Sequence, residues 1–449
     1  MYMLRGIMIQ GCKDYRQFNR RDFLRVGGAG LFGMTFADFF RARAEASGNE
    51  PRARSMILIW LAGGPPHQDM FDMKPETPPP FGSELRPART NVPGIDFCEL
   101  MPRLAQMADK FSILRSVGIG NERWEHSGGL YWLSGNPRNR GTVQFPMYGS
   151  VLAKERPAPR GIPSFVGFGH YYDAGDSAGD LRNNYLGPAY DPMIFQPGNP
   201  RDEVGSMLTP QLDLSAMERR EGLLQALDTQ MRELGASEHL ISGMDRFQQS
   251  AFDMLRSPRL RQAADPRQFP ARLHDRYGRN QQGTYALAAC RLVEAGVPFV
   301  FVPWPGWDYH GSVTNACRTS LPILDAMVSS LIQDLHDRGL LDTTIVTVLG
   351  EMGRNRIYQD PAYSGPPGRD HWGTTQFVLV AGGGFRQGMV LGATDRTSLR
   401  VTDKYYSPVS YGRTLYHLLG IDPDKELFTA SGRPVRISED APLIREIIA

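Results

Sequence analysis

Apolar and amphipathic stretches take turns along the last third of the chain. "GTYALAACRLVEAG" has helical spacing, "VPFVFVPW" is an unbroken apolar run, "LPILDAMVSSLIQDLHDRGL" is helical again, and "TTIVTVLGEMG" and "TQFVLVAGGG" are apolar runs. "SMILIWLAGG" near the start of the same body is a run of the same kind. Runs without polar alternation are how strands buried on both faces of a parallel sheet read. Helix and strand in alternation predict right-handed βαβ units, hence an α/β fold with a mostly parallel sheet covered on both faces.

Between these segments the pattern is weaker. "LMPRLAQMADKFSILRSVG" predicts an amphipathic helix followed by a short strand, and "EHSGGLYWLSGNP" a helix that starts just after a turn. Residues 137–210 are turn-rich and predict no element. Residues 211–280 show helical periodicity without a strand, which predicts a helical insertion peripheral to the sheet. "YHLLGIDP" predicts a helix with Gly420 as its C-terminal stop.

Composition narrows the function classes. Charged residues make up 22% of 449 residues and the formal net charge is +2, so no field argues for a nucleic-acid partner. Gly 48 and Pro 34 suit a protein with long, shaped loops. At the N-terminus, "NRRDFLRVGGAGLFGMTFADFF" sets Arg20 and Arg21 ahead of a weakly apolar, Gly-rich stretch that Asp38 interrupts, with small-residue cleavage sites around Ala42–Ala46. This resembles a twin-arginine export signal, too short for a permanent membrane anchor. The expected organisation is a signal over residues 1–46, a domain over 54–430 and a C-terminal tail over 431–449, in a periplasmic or otherwise extracytoplasmic protein. Cys98, Cys290 and Cys317 remain after the signal and show no zinc spacing or disulfide framework.

Ligands in such sheets bind at the carboxyl ends of the strands. The loops there carry His67, Asp69 and Asp72 after the first run, Asp308 and His310 after "FVFVPW", and Glu351 and Arg354 after "TIVTVLG". Asp370 and His371 lie just ahead of the last run. On an extended backbone Asp308 and His310, at i and i+2, face the same way. A carboxylate beside an imidazole suits zinc, manganese or a similar divalent ion, and the alternative is a histidine capped by its neighbouring aspartate in a surface turn.

In order, "EHSGGLYWLSGN", "GWDYHG", "VTVLGEMGR", "GRDHWGTTQFVLVAGGG" and "VSYGRTLYHLLGIDP" resemble the sulfatase-like uncharacterised family called domain of unknown function 1501, related to the alkaline phosphatase and sulfatase superfamily. The resemblance covers about residues 55–425. It implies an alkaline-phosphatase-like three-layer sandwich and a divalent metal cofactor (zinc, calcium, magnesium or manganese). Asp308 and His310 look similar to the superfamily's first-site aspartate and histidine, and His371 resembles the third ligand. At the second site a Ser-Asp-His-Gly element is replaced by Gly350-Glu351-Met352-Gly353, which keeps the carboxylate and loses the imidazole. The acidic ligand usual directly after the first strand is absent from Leu61-Ala62-Gly63-Gly64, leaving Asp69 and Asp72 as the nearest acids. Glu125 or His126 falls at the nucleophile position with Ser127 beside it, and no Cys-x-Pro-x-Arg motif of formylglycine sulfatases is present.

Several roles stay open. Ser127 is a nucleophile or an N-cap. His126 is a metal ligand, a general acid or a structural donor. Arg354 clamps an anionic oxygen or pairs with Glu351. The expectation is a metal-dependent hydrolase of phosphate or sulfate esters acting on an anionic small-molecule or polysaccharide substrate. Its metal ligands are drawn from Asp308, His310, His371, Glu351 and Asp69, its catalytic groups from His126, Ser127 and Arg354. The alternative is an exported protein that binds a metal or ligand and has lost the nucleophile.

Overall fold

Every residue of the strand Ser55–Leu61 is buried, and its two faces feed two separate cores. Ile57, Ile59 and Leu61 pack into one, Met56, Leu58 and Trp60 into the other. In the computed structural model, the described residues are 51–120, 126, 128–137, 143–159, 161–169, 184–195, 260, 262–263, 265–429 and 431–449. The export-signal segment, Glu125 and Ser127 lie outside them, as does most of the expected helical insertion.

The strands are β1 (Ser55–Leu61), β2 (Pro87–Arg89), β3 (Asp96–Cys98), β4 (Ser112–Val117), β5 (Phe165–Phe168), β6 (Met193–Phe195), β7 (Phe299–Trp304), β8 (Thr344–Leu349), β9 (Gly353–Tyr358), β10 (Gly368–Trp372), β11 (Gln376–Ala381), β12 (Val390–Leu391), β13 (Glu426–Phe428) and β14 (Pro434–Arg436). The central sheet has the order β12-β4-β11-β8-β1-β7-β5-β6. The described helices are α1 (Pro102–Ala105), α2 (Gly128–Ser134), α3 (Tyr148–Glu155), α4 (Ala271–Tyr277), α5 (Gln281–Ala295), α6 (Val313–Asp337) and α7 (Pro408–Leu418). Buried residues of α5 and α6 cover one face of the sheet, those of α2, α3 and α7 the other, giving the expected three layers.

One strand departs from the parallel rule. β11 runs antiparallel to both β8 and β4, whereas β1 is parallel to β7 and β8. The reason is the connection: β8 reaches β11 through the β9–β10 hairpin instead of a crossover helix. The reversal matters for the site, because it puts the start of β11 at the same edge as the ends of β1, β7 and β8.

Residues 137–210, where no element is expected, contain α3 and the sheet strands β5 and β6. The segment 431–449, expected as a tail, is part of the body: Ile444 and Ile447 are fully buried, and Ala449 N–H donates to Gly384 O at 2.9 Å. The helix α7 ends as expected, with Gly420 at φ 69° and Ile421 N–H donating to Tyr416 O at 2.9 Å. No described helix is long and apolar enough to cross a membrane.

Candidate functional site

The end of β7 is tied to the end of β1. Trp307 N–H donates to Ala62 O at 3.0 Å, and Gly63 lies so close that a Cβ there would sit 2.4 Å from Asp308 N. Gly63 also has φ +115°, so only glycine serves at this crossing. Past it the chain tightens. Tyr309 N–H donates to Trp307 O at 3.0 Å and His310 N–H to Asp308 O at 3.1 Å, so Asp308 and His310 meet through successive three-residue turns and not through an extended run.

The β9–β10 hairpin brings in the next residues. His371 on β10 is the cross-strand partner of Arg354 on β9, which sets both on the hairpin where it meets the β7 loop. Gly368 lets β10 pass over that loop, since a Cβ there would fall 2.1 Å from His310 C.

Three ligand-type atoms converge as a result. His310 Nε2 is 3.0 Å from His371 Nε2, His371 Nε2 is 3.0 Å from Asp308 Oδ1, and His310 Nε2 is 3.0 Å from Asp308 Oδ1. His126 closes the other side, with Nε2 3.6 Å from Asp308 Oδ2 and its ring 4.8 Å from that of His371. His126 Nδ1 is 2.9 Å from Glu351 Oε1, which also accepts from Gly63 N–H at 2.7 Å. Glu351 is thus buried behind His126, and its Oε2 has no hydrogen-bond partner.

Arg354 takes neither expected role. Its side chain is fully buried, with Nε donating to Gly64 O at 2.7 Å, Nη1 to Arg369 O at 3.0 Å, and Nη2 to Trp307 O at 3.1 Å, to Gly63 O and to Asp308 Oδ1. All three nitrogens are engaged, so none is left to clamp a substrate, and Glu351 is not among the partners. Arg354 instead positions Asp308 and neutralises it.

Asp69 is engaged elsewhere. Its Oδ2 accepts from Arg369 Nε at 2.7 Å and its Oδ1 from Arg369 Nη2 at 3.2 Å, and both side chains are buried. Arg369 also donates to the carbonyls of Phe81, Gly82 and Asn355. Asp72, the other acid of that loop, accepts from Lys74 and Thr394. Residues singled out by neither motif nor spacing are Asp360 and Tyr363, which flank His310 from the β9–β10 loop. Their signal is the length of that loop between two strands that each carry a site residue.

The electrostatics follow from this packing. Burial pushes the Asp308 carboxyl up, but His126, His371 and Arg354 outweigh it and hold the group well below the usual carboxylate range. The Asp308 and Glu351 carboxylates raise His126 to about 10, against its burial. His310 is lowered by burial, against the pull of Asp308, and so favours the neutral form a metal requires.

His67 titrates for a structural reason. Its Nδ1 accepts from Arg354 N–H at 3.3 Å and its Nε2 lies 2.8 Å from Ser398 O, so the buried ring is neutral, with its proton on Nε2. Burial lowers it to about 4, from 6.5. The unfolded chain therefore binds the proton first, and stability present above pH 6.5 is lost as pH falls towards 4. Over that interval the expected loss from this residue is about 3 kcal/mol. Urea midpoints at pH 7 and pH 4.5 measure it, and a His67→Gln variant should show a shallower dependence.

A three-layer α/β protein with an Asp–His cluster at its strand ends is the class that fold and site define. The chain belongs to the family described as Protein of unknown function (DUF1501), whose model matches residues 53–448. No curated protein matches it in sequence. Among solved structures it is similar to the lipoteichoic acid synthase LtaP from Listeria monocytogenes, at 9% identity and a TM-score of 0.36, over 89% of this chain and 80% of that one. It is similar to a protein in the alkaline phosphatase superfamily from Vibrio parahaemolyticus, at 9% identity and 0.36, over 83% and 69%. A third is the PsFucS1 sulfatase from Pseudoalteromonas sp., at 12% identity and 0.34, over 85% and 70%.

Proposed function

We propose that this chain is an exported, metal-dependent hydrolase of phosphate or sulfate esters, with Asp308, His310 and His371 holding one divalent ion. The observation that carries the reading is the triangle of Asp308 Oδ1, His310 Nε2 and His371 Nε2, each 3.0 Å from the other two. Two imidazole nitrogens and a carboxylate oxygen this close together would hold a divalent ion, and the chemistry of the set suits one. A bound divalent ion supplies Lewis-acid polarisation of a non-bridging ester oxygen.

The chain's own residues do the rest. Arg354 fixes the Asp308 carboxylate from behind. His126, with Nδ1 against Glu351 and Nε2 against Asp308, is the proposed general acid, which would pass a proton to the departing alkoxide as the P–O or S–O bond breaks. Ser127, next in sequence, or a water is the attacking oxygen. Anionic small-molecule or polysaccharide esters are the proposed substrates.

Metal analysis of purified protein, followed by a panel of phosphate and sulfate monoesters and diesters, tests the proposal. One divalent ion per chain and turnover of at least one ester class are expected. Metal without turnover would put a non-catalytic metal-binding protein ahead, a reading favoured by the burial of Arg354, whose guanidinium is not free for a substrate anion. Absence of metal would sink the metal-dependent hydrolase and leave a non-catalytic ligand-binding protein ahead.

Export is a separate proposal, motivated by Arg20 and Arg21 ahead of the Gly-rich stretch. Changing Arg20→Lys and Arg21→Lys together should retain the protein in the cytoplasm, as read by cell fractionation. Undiminished export would defeat it.

A further inference from the structure

We infer that the edge of the sheet opposite the Asp308–His310–His371 cluster is a docking surface for an anionic phospholipid membrane, built from Arg52, Arg54, Arg156, Arg386 and Arg445. The inference stands apart from the proposed ion and from ester hydrolysis.

Four stretches of chain bring these arginines together. Arg52 and Arg54 precede β1, and Arg54 N–H donates to Thr343 O at 2.7 Å, just ahead of β8. Arg156, the residue after α3, sends Nη1 to Ala53 O at 3.0 Å and to Leu419 O at 2.7 Å. Arg386 N–H donates to Ile447 O at 2.8 Å and its Nε to Ile448 O at 2.8 Å, while Arg52 Nη1 donates to Ala449 O. Arg445 lies in that same last segment. The partly buried His417 of α7 feels the group: burial lowers its imidazole, and Arg52 and Arg445 lower it further.

Among the described residues no carboxylate side chain pairs with any of the five. The acids beside them in sequence are paired elsewhere, Glu155 with Lys425 and Glu446 with Lys404. With a net charge of +2 over the whole chain, arginines gathered without acids are a local sorting of charge and not the mark of a basic protein. Arg52, Arg54, Arg386 and Arg445 are exposed, unlike Arg354 and Arg369, which are fully buried against Asp308 and Asp69.

Position selects the occupant. β1 starts at this edge and runs seven residues, about 20 Å, to the loop that meets Asp308, so a surface held here leaves the cluster facing away from it. The chain enters the edge directly after the segment that carries Arg20, Arg21 and the weakly apolar, Gly-rich stretch. This edge is therefore the part of the body joined in sequence to the segment that would meet a membrane. A small anion is held by converging, desolvated donors, whereas exposed guanidiniums suit a surface of many phosphates. Their attraction acts within about 10 Å at 0.1 M salt, which reaches the headgroups only from a face laid against them.

Sedimentation of the full chain with vesicles tests the inference. Binding is expected to mixed phosphatidylglycerol–phosphatidylcholine vesicles and not to phosphatidylcholine alone, and should fall as salt is raised. Each arginine is expected to contribute about fivefold, so Arg54→Gln, Arg386→Gln and Arg445→Gln together should weaken binding about 100-fold, while lysine at the same three positions should retain it. Arg356→Gln, Arg396→Gln and Arg400→Gln, exposed positions on the side of the cluster, should change it little. Arg54→Glu with Arg445→Glu, whose parent side chains make no hydrogen bond among the described residues, carries the test if the triple variant does not fold. Undiminished binding by these variants would assign the contact to the first 50 residues and overturn the inference. Equal binding to phosphatidylcholine alone, or tighter binding of a soluble sulfated glycan to the same arginines, would overturn it as well.

Discussion

Asp308→Ala should lower divalent-metal affinity by more than about 100-fold and remove any esterase activity with it, because the loss of a direct ligand exceeds the about 10–100-fold typical of an outer partner. The size of the effect follows from position. Asp308 is within 3.6 Å of His126, within 3.0 Å of His310 and of His371, and is bonded by Arg354. Its removal withdraws the only carboxylate that touches all three histidines among the described residues. Arg354 keeps its carbonyl acceptors at Gly63, Gly64, Trp307 and Arg369, but its buried guanidinium loses its carboxylate, so a loss of stability accompanies the change and the titration is read on protein shown to be folded. Combining Asp308→Ala with His371→Ala should cost little beyond the first change, because one lost ligand already disables a shared site. Calorimetric zinc titration checks both statements, and an Asp308→Ala protein that still binds zinc as the wild type does would end the metal reading.

Sequence pattern and structure agree where a long segment carries one unambiguous period. β1, β7 and β8 read as buried runs, α5 and α6 as helices between them, and the rule that ligands gather at carboxyl ends then brings Asp308, Glu351 and Arg354 to one edge. His371 needed more. It precedes its strand, so in an all-parallel sheet it would stand at the opposite edge from Asp308, and only the reversal of β11 by the hairpin brings the two together. Strand direction is not written in an apolar run. β5 and β6, four and three residues long, are too short for either period to show against their turn-rich surroundings.

The roles of the arginines were hidden for another reason. An arginine in a sequence is expected at the surface, where it reaches solvent or a ligand. Arg354 and Arg369 are instead fully buried, and each is satisfied mostly by backbone carbonyls that come together only when β1, β7 and the hairpin have packed. Acceptors of that kind are supplied by tertiary structure and leave no trace in side-chain spacing. The same packing engages Asp69 with Arg369, apart from the Asp308–His310–His371 cluster.

Asp69→Ala should therefore destabilise the fold by about 3–5 kcal/mol, the cost of leaving one partner of a buried ion pair uncompensated. Both groups are inaccessible, Asp69 at 2% and Arg369 at 0% relative exposure, so solvent cannot replace the missing charge. Asp69 also accepts from the Ser83 hydroxyl at 2.5 Å, which ties the loop after β1 to the chain beneath the hairpin. Removing both partners as Asp69→Leu and Arg369→Met should recover part of the loss, since an apolar pair of similar volume avoids the orphaned guanidinium. Chemical denaturation of the single and double variants measures these differences. The metal content of whatever folds separates this structural role from the ligand role that the loop position suggested. On the metal proposal, folded Asp69→Ala should bind zinc as the wild type does, because the Asp69 carboxylate is spent on Arg369 and Ser83, and Arg369 meets Arg354 through its backbone oxygen, at 3.0 Å, and not through its side chain. A stable Asp69→Ala protein that has lost its metal would reverse the assignment and return Asp69 to the coordination shell.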